Sequence, residues 1–359
     1  MTMIFRSAVI AFLAASFALI CTEVSAQNAY VANTNDGTVS VIDTVTNTVT
    51  ATVAVGIGPK GVSVSSDGSK VFVSRAGTLS VIDTRTNTVA ATVAVGTDPY
   101  GVSVSPDGSR VYVANSNFNT VSVIDTASNT VTATVAVGRN PYGVSVSPNG
   151  SRVYVANYTD NTVSVINAAS NTVTATVTVG TGPHGVSVSP DGTKLYVVNA
   201  ASGSLSVIDT ATNSISATVN IAGSSSGVSV SPDGSKVYVS APGFDIVQVI
   251  NTANNTVTTT VAVGRNPQGV SVSPDGARVY VANYGSNTVS VISTATNTVT
   301  SSIGVGNFPN TLGNFIGPAP VPPVPTLSQW AMILLGVLLS GVAVLHLARN
   351  PPRRLQGVG

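Results

Sequence analysis

The chain of 359 residues is short of the groups that most chemistry uses. Its one cysteine, Cys21, stands in an apolar leader, so the mature body can form no internal disulfide and no thiolate metal site. Its one glutamate, Glu23, is in the same leader. Of two histidines only His184 falls in the main body, which excludes a haem, copper or zinc site built on several histidines. Charged residues are 8% of the chain, against about a quarter in an ordinary globular protein. Apolar residues are 43%, so the shortage of charge is not disorder. A net charge of +1 gives no electrostatic reason to bind nucleic acid or an anionic membrane. No cofactor or metal is called for.

Both ends read as addresses. Arg6 precedes an apolar run, Ser7 to Ile20, and Val24-Ser25-Ala26 is a small-residue cleavage site. Residues 1–26 are therefore expected to be a secretory signal peptide. At the other end, residues 318–325 form a proline-rich spacer, and Ala331 to Leu347 is apolar apart from Ser340 and His346. Seventeen residues at about 1.5 Å each can just cross a thin bilayer core. Arg349, Arg353 and Arg354 would hold the far end of this 331–347 helix in the cytoplasm. The string Val324-Pro325-Thr326-Leu327-Ser328-Gln329-Trp330, followed by the span and the arginines, resembles the IPTL-CTERM sorting signal. That resemblance implies export, a transient membrane anchor over 326–359, and cutting by an exosortase-type protease on the way to the cell surface. A permanently anchored periplasmic protein is the other expectation.

Between the ends one phrase recurs. GVSVSPDG-like segments begin at Gly61, Gly101, Gly143, Gly185, Gly227 and Gly269. A Tyr-Val or Phe-Val pair starts at Tyr30, Phe72, Tyr112, Tyr154, Tyr196, Tyr238 and Tyr280. A period near 42 marks a repeat architecture rather than separate domains. Each repeat has four short runs rich in Val, Ile, Thr and Tyr: a (GVSVS), b (RVYVAN), c (TVSVID) and d (NTVTATVAVG). Ser-Pro-Asp-Gly joins a to b as a type I turn, and Asp-Thr-x-x-Asn-Thr joins c to d. Connections this short require antiparallel neighbours. Residues 27–317 are thus expected to be all-β: a seven-bladed propeller of four-stranded antiparallel blades. Nothing like run a precedes Tyr30, so residues 309–316 are read as the missing innermost strand of blade one, closing the ring. Run d is expected to alternate inward Val131, Val135 and Val137 with outward Thr132, Thr134 and Ala136.

Tyr30-Val31-Ala32-Asn33 and its copies ending at Asn115, Asn157, Asn199 and Asn283 resemble the YVTN β-propeller repeats. The resemblance implies the propeller fold and leaves function open, because propellers host unrelated activities.

Subtracting the repeat leaves one variable face. The a–b and c–d turns hardly change, whereas the d–a and b–c loops do. Lys60, Tyr100, Tyr142, His184, Ser226 and Gln268 are expected to ring the channel mouth from d–a loops, with Arg139 and Arg265 close by. These are the candidate ligand-binding residues. His184 alone reads as an exposed polar residue rather than a catalyst. Nine of the 13 aspartates recur in turns; only Asp36, Asp98, Asp160 and Asp245 are left over, in four different blades. No catalytic constellation emerges. The expected role is a non-enzymatic binding, adhesion or structural module, with surface glycans or proteins as partners. A propeller enzyme, lactonase- or lyase-like, is the competing class.

Overall fold

The computed structural model describes residues 27–318. The leader, the end of the spacer, the sorting motif, the 331–347 span and the arginine tail lie outside the described residues. Among the described residues no helix is long and apolar enough to cross a membrane.

The strands form seven antiparallel sheets. Blade three is representative: strand a is Pro99–Val104, b is Arg110–Asn115, c is Thr120–Asp125 and d is Thr130–Ala136. Strands b and c are apolar on both faces because each is sandwiched between neighbouring blades; Val111, Tyr112, Val113, Val121, Val123 and Ile124 are all buried. Each a–b link is a tight turn, with Gly108 N–H donating to the Ser105 carbonyl at 2.8 Å. Each c–d turn places an asparagine in the left-handed region, from Asn47 to Asn297, at φ 52–54°. Asparagine is one of the few residues with a side chain that is enriched in that region.

Strand d departs from simple alternation. All seven c–d pairs carry a bulge, as between Val123 and Ile124. The extra residue is Thr132 in blade three, and its hydroxyl donates to the Val123 carbonyl at 3.2 Å. The bulge reverses the facing of the strand's start. Val131 therefore points to solvent, 37% exposed, while Val135 is buried. This corrects the inward reading of Val131.

The asparagine that ends strand b is a clamp. Asn157 is fully buried, and its amide donates to Thr162 Oγ1 at 3.0 Å and Ser164 Oγ at 2.9 Å on strand c. Gly138 lies against this amide, where a Cβ would come within 2.6 Å of Asn157 Cγ. The clamp and its glycine thus explain two recurrent letters of the repeat at once. In blade two Arg75 replaces the asparagine and donates from Nε to Ser80 Oγ at 2.9 Å.

Blades are stitched to one another at the start of strand b. The basic residue that opens it reaches the next blade's c–d turn: Lys70 Nζ donates to the Thr126 carbonyl at 2.9 Å and Lys236 Nζ to that of Thr294 at 3.0 Å. Arg110, Arg152 and Arg278 do the same to Ala168, Thr210 and Thr44. The last of these joins blade seven to blade one. Lys194 breaks the series by pairing with Asp209 of its own blade.

Blade one has three regular strands, Asn28–Asn33, Thr38–Asp43 and Thr48–Ala54. Residues 309–316 fill the innermost place, yet through isolated bridges rather than a regular strand: Pro309 to Asn33 and Ile316 to Ala29. The physical reason is divided allegiance. Tyr30 N–H donates to the Phe315 carbonyl at 2.9 Å, while Val62 N–H of blade two donates to the Leu312 carbonyl at 2.9 Å. The segment lies between the two blades, and Phe315 and Ile316 are fully buried. Their core cluster includes Val31 and Val41 of blade one together with Tyr280 and Val289 of blade seven.

The inner strands enclose a channel of about 520 Å³. Its serines bridge blades: Ser103 Oγ accepts from Val146 N–H at 3.2 Å, and Ser145 Oγ from Val188 N–H at 3.3 Å. In the final seam Ser271 Oγ donates to Asn314 Oδ1 of the closing segment at 2.9 Å.

The channel has two different ends. Pro318 lines it beside Pro232 and Pro274 of the a–b turns. The Gln27 carbonyl accepts from Thr44, in a c–d turn. Both ends of the described chain therefore leave on the turn face, opposite the variable loops.

Candidate functional site at the channel mouth

The residues expected at the mouth do gather there, by a route the loops alone do not reveal. Tyr100, Tyr142, His184 and Gln268 are strand residues, because strand a starts at the preceding proline. Pro141 pairs with Asn157, the register then shifts, and pairing resumes at Val144 with Val155. Tyr142 and Gly143 occupy the resulting bulge. Asn140 before the proline sits at φ 59°, and Asp98 and Asn266 are in the same left-handed region. Each inner strand thus enters through a kink that presents one side chain at the rim.

Those side chains touch in sequence around the ring. Lys60 Nζ lies 3.7 Å from the centre of the Tyr100 ring and donates to Asp98 Oδ1 at 2.7 Å. The Tyr100 and Tyr142 rings are 4.4 Å apart, and Tyr142 and His184 4.8 Å apart. Tyr158, from the b–c loop of blade four, joins Tyr142 at 5.3 Å. The arc continues in polar form, with Ser226 Oγ 3.4 Å from His184 Nδ1. Gln268 Nε2 donates to Asn266 Oδ1 at 2.9 Å. One half of the mouth is an aromatic ledge and the other is polar. Tyr158 belongs to the ledge and was missed by the loop comparison; its only signal was an aromatic side chain in NYTDN.

Arg139 and Arg265 stand on the outer rim. Both are exposed. Arg139 is held by Asp160, with Nε donating at 2.5 Å. The four leftover aspartates do not converge. Asp98 holds Lys60, Asp160 holds Arg139, and Asp245 accepts from Asn266 N–H at 2.7 Å. Asp36 accepts from Asn307 N–H at 2.7 Å and so pins the approach to the closing segment. Among the described residues no group of three or more His, Cys, Asp or Glu side chains could hold a metal ion.

His184 is half-buried rather than exposed, a correction whose cause is the packing of Tyr142 and Ser226 on either side. Desolvation pushes its imidazole down to about 4. Burial, then the neighbouring Tyr100 and Asp98, push the Tyr142 phenol up to about 12. The unfolded imidazole binds its proton near 6.5, the folded one only near 4. Stability is therefore full above pH 6.5 and declines as pH falls through that window. The turn carboxylates Asp107 and Asp233 act in a lower window. Serine hydroxyls, Ser105 and Ser231 first, hold them at about 2, so their contribution is lost only below their ordinary 3.8. Urea midpoints at pH 7 and pH 4.5 should show a smaller acid loss for His184→Gln than for the native chain.

The profile of the YNCE-like β-propeller family matches residues 4–110 and 144–242, more than half of the chain. The chain belongs to the YNCE-like β-propeller family. Within it, residues 82–185 also match the lactonase seven-bladed β-propeller profile. Residues 322–350 match the IPTL-CTERM motif, so this family member carries a C-terminal sorting signal of the kind found on exported proteins. No curated protein matches the chain. Among solved structures, Kuenenia stuttgartiensis hydrazine synthase is 26% identical with a TM-score of 0.69, over 74% of this chain and 92% of that one. A functionally unknown protein from Desulfotomaculum acetoxidans DSM 771 is 18% identical with a TM-score of 0.71, over 80% and 98%. The second likeness is one of fold alone.

Proposed function

We propose that this is an exported recognition module that displays its channel mouth to uncharged, hydrogen-bonding ligands and catalyses nothing. The observation that carries this reading is the continuous ledge of Tyr100, Tyr142, Tyr158 and His184, beside the polar arc of Ser226 and Gln268. Aromatic faces supply contact area at little entropic cost, and the flanking hydroxyl and amide supply direction. The rings fill the space between one another, so the site is a ledge for a flat face rather than a cage. Glycan chains and protein surfaces both offer such faces. Lys60 and Arg139 are each neutralised by an aspartate, which favours neutral partners.

The described chain leaves the body at Pro318, on the face opposite the ledge. In this reading the export machinery delivers the body and an exosortase-type protease cuts the tail. Mass spectrometry of the native chain should find nothing beyond the proline spacer. An intact C-terminus would mean a permanent anchor. Tyr142→Ala should weaken binding to a printed array of neutral glycans and surface proteins at least tenfold, with Arg85→Ala as an off-site control. Equal signals would move recognition to another face.

The lactonase match over residues 82–185 favours one second reading, an enzyme at the same mouth. A metal retained through purification of the native protein would support it.

A further inference from the structure

We propose that the seams of the turn face form a ring of equivalent saccharide sites, separate from the mouth. Three clefts of about 410, 460 and 490 Å³ open between blades three and four, four and five, and five and six. These volumes sit at the small end of the range for ligand pockets. The cleft between blades four and five has walls of Pro148, Arg152 and Tyr154 from one blade and Asp191, Thr210 and Ala211 from the next. Its neighbours repeat the scheme: Pro106, Arg110 and Tyr112 facing Asn149 and Ala169, then Pro190, Lys194 and Tyr196 facing Asp233 and Thr252.

The chemistry in each cleft is that of a sugar site. A proline ring and a tyrosine offer apolar surface to the C–H face of a pyranose. A cation and a carboxylate or amide stand across from each other, so donors and acceptors are both present with little net charge. The acceptors are held in place: Asp191 Oδ1 takes the Ser189 hydroxyl at 2.5 Å and Thr193 N–H at 3.0 Å. Arg152 spends Nη1 on the Thr210 carbonyl and keeps its other N–H groups. The seam between blades seven and one shows how such a cleft can be satisfied from within, since the Tyr280 hydroxyl donates to Asn47 Oδ1 at 3.2 Å. The matching oxygens of the two seams flanking blade four, on Asn171 and Asn213, are buried without a partner. There the Tyr112 and Tyr154 hydroxyls are not tied to that oxygen. Repetition itself selects the ligand. Equal sites at equal angles suit a polymer with a repeating unit, and each weak contact gains from the next.

Titration calorimetry on the full-length chain in detergent tests this. The probes are the neutral hexoses, deoxyhexoses and N-acetylhexosamines, each as a monosaccharide and as its homopolymer. One monosaccharide should bind at three or more equivalent sites, and its polymer at least a hundredfold tighter. Ala169 and Ala211 are exposed turn residues. The double variant Ala169→Trp, Ala211→Trp should lower the site number by two with an unchanged melting temperature. Should the tryptophans impair folding, Pro148→Ala, which removes a wall shared by both clefts, should lower the mean affinity. Tyr142→Ala should remove at most the one site at the mouth and leave the seam sites in place. Silence of every probe, a single site, or an unchanged site number in the blocked variants would overturn the proposal. Loss of the sites in Tyr142→Ala would instead assign the binding to the mouth.

Discussion

Alanine at Gly269 is expected to prevent the last seam of the ring from forming, at a cost of about 4 kcal/mol or more. A Cβ there would stand 1.8 Å from the Thr311 carbonyl oxygen. Backbone on both sides leaves no flexible side chain to yield, and a close-packed interior does not absorb such an overlap. The same position in other blades faces the same obstacle, as Gly143 does with the His184 carbonyl at 2.4 Å. This is why the repeat keeps glycine at 61, 101, 143, 185, 227 and 269. Gly304→Ala is the control: it meets nothing within 4 Å and has ordinary backbone angles. Its effect should stay within about 0.5 kcal/mol. Guanidinium unfolding of the two variants decides the matter, and equal midpoints would remove the steric account.

Phe315→Ala should cost about 3–5 kcal/mol, the range for a large aromatic lost from a core. The ring is fully buried among residues of the blades it joins. A chain ending at Phe308 should lose more, since Leu312, Ile316 and the bonds to Tyr30, Val62 and Val64 go as well. If the truncated body unfolded at the same guanidinium concentration as the intact one, residues 309–316 would not be what closes the ring. A truncated chain that is folded but less stable would show that the other seams carry the ring without it.

The repeat made the blades legible, because period-2 strands and four-residue turns leave few topologies open. What escaped were features that need two blades at once. The basic residues at 70, 110, 152, 236 and 278 recur in step with the repeat, yet their partners lie 56 or more residues away. The bulge in strand d was hidden because threonine and valine suit either face of a strand, so composition did not show where Val131 would point. At the mouth, the variable positions were readable as a set. That Tyr142 would touch three other rings was not, since it depends on a strand starting two residues earlier than its apolar core. Burial of His184 follows from the same contact. The closing segment was readable from a missing run a; its hold on two blades was not.

The outer strands invite one last deduction. Across seven blades they hold no lysine, arginine, aspartate or glutamate. Proteins commonly guard such open edges with charge, whereas here the guard is shape, a kink locked in six blades by a hydroxyl. Shape is indifferent to ionic strength. Copies of this disc can therefore crowd side by side in brine or in fresh water alike, without the mutual repulsion that thins out a layer of highly charged molecules.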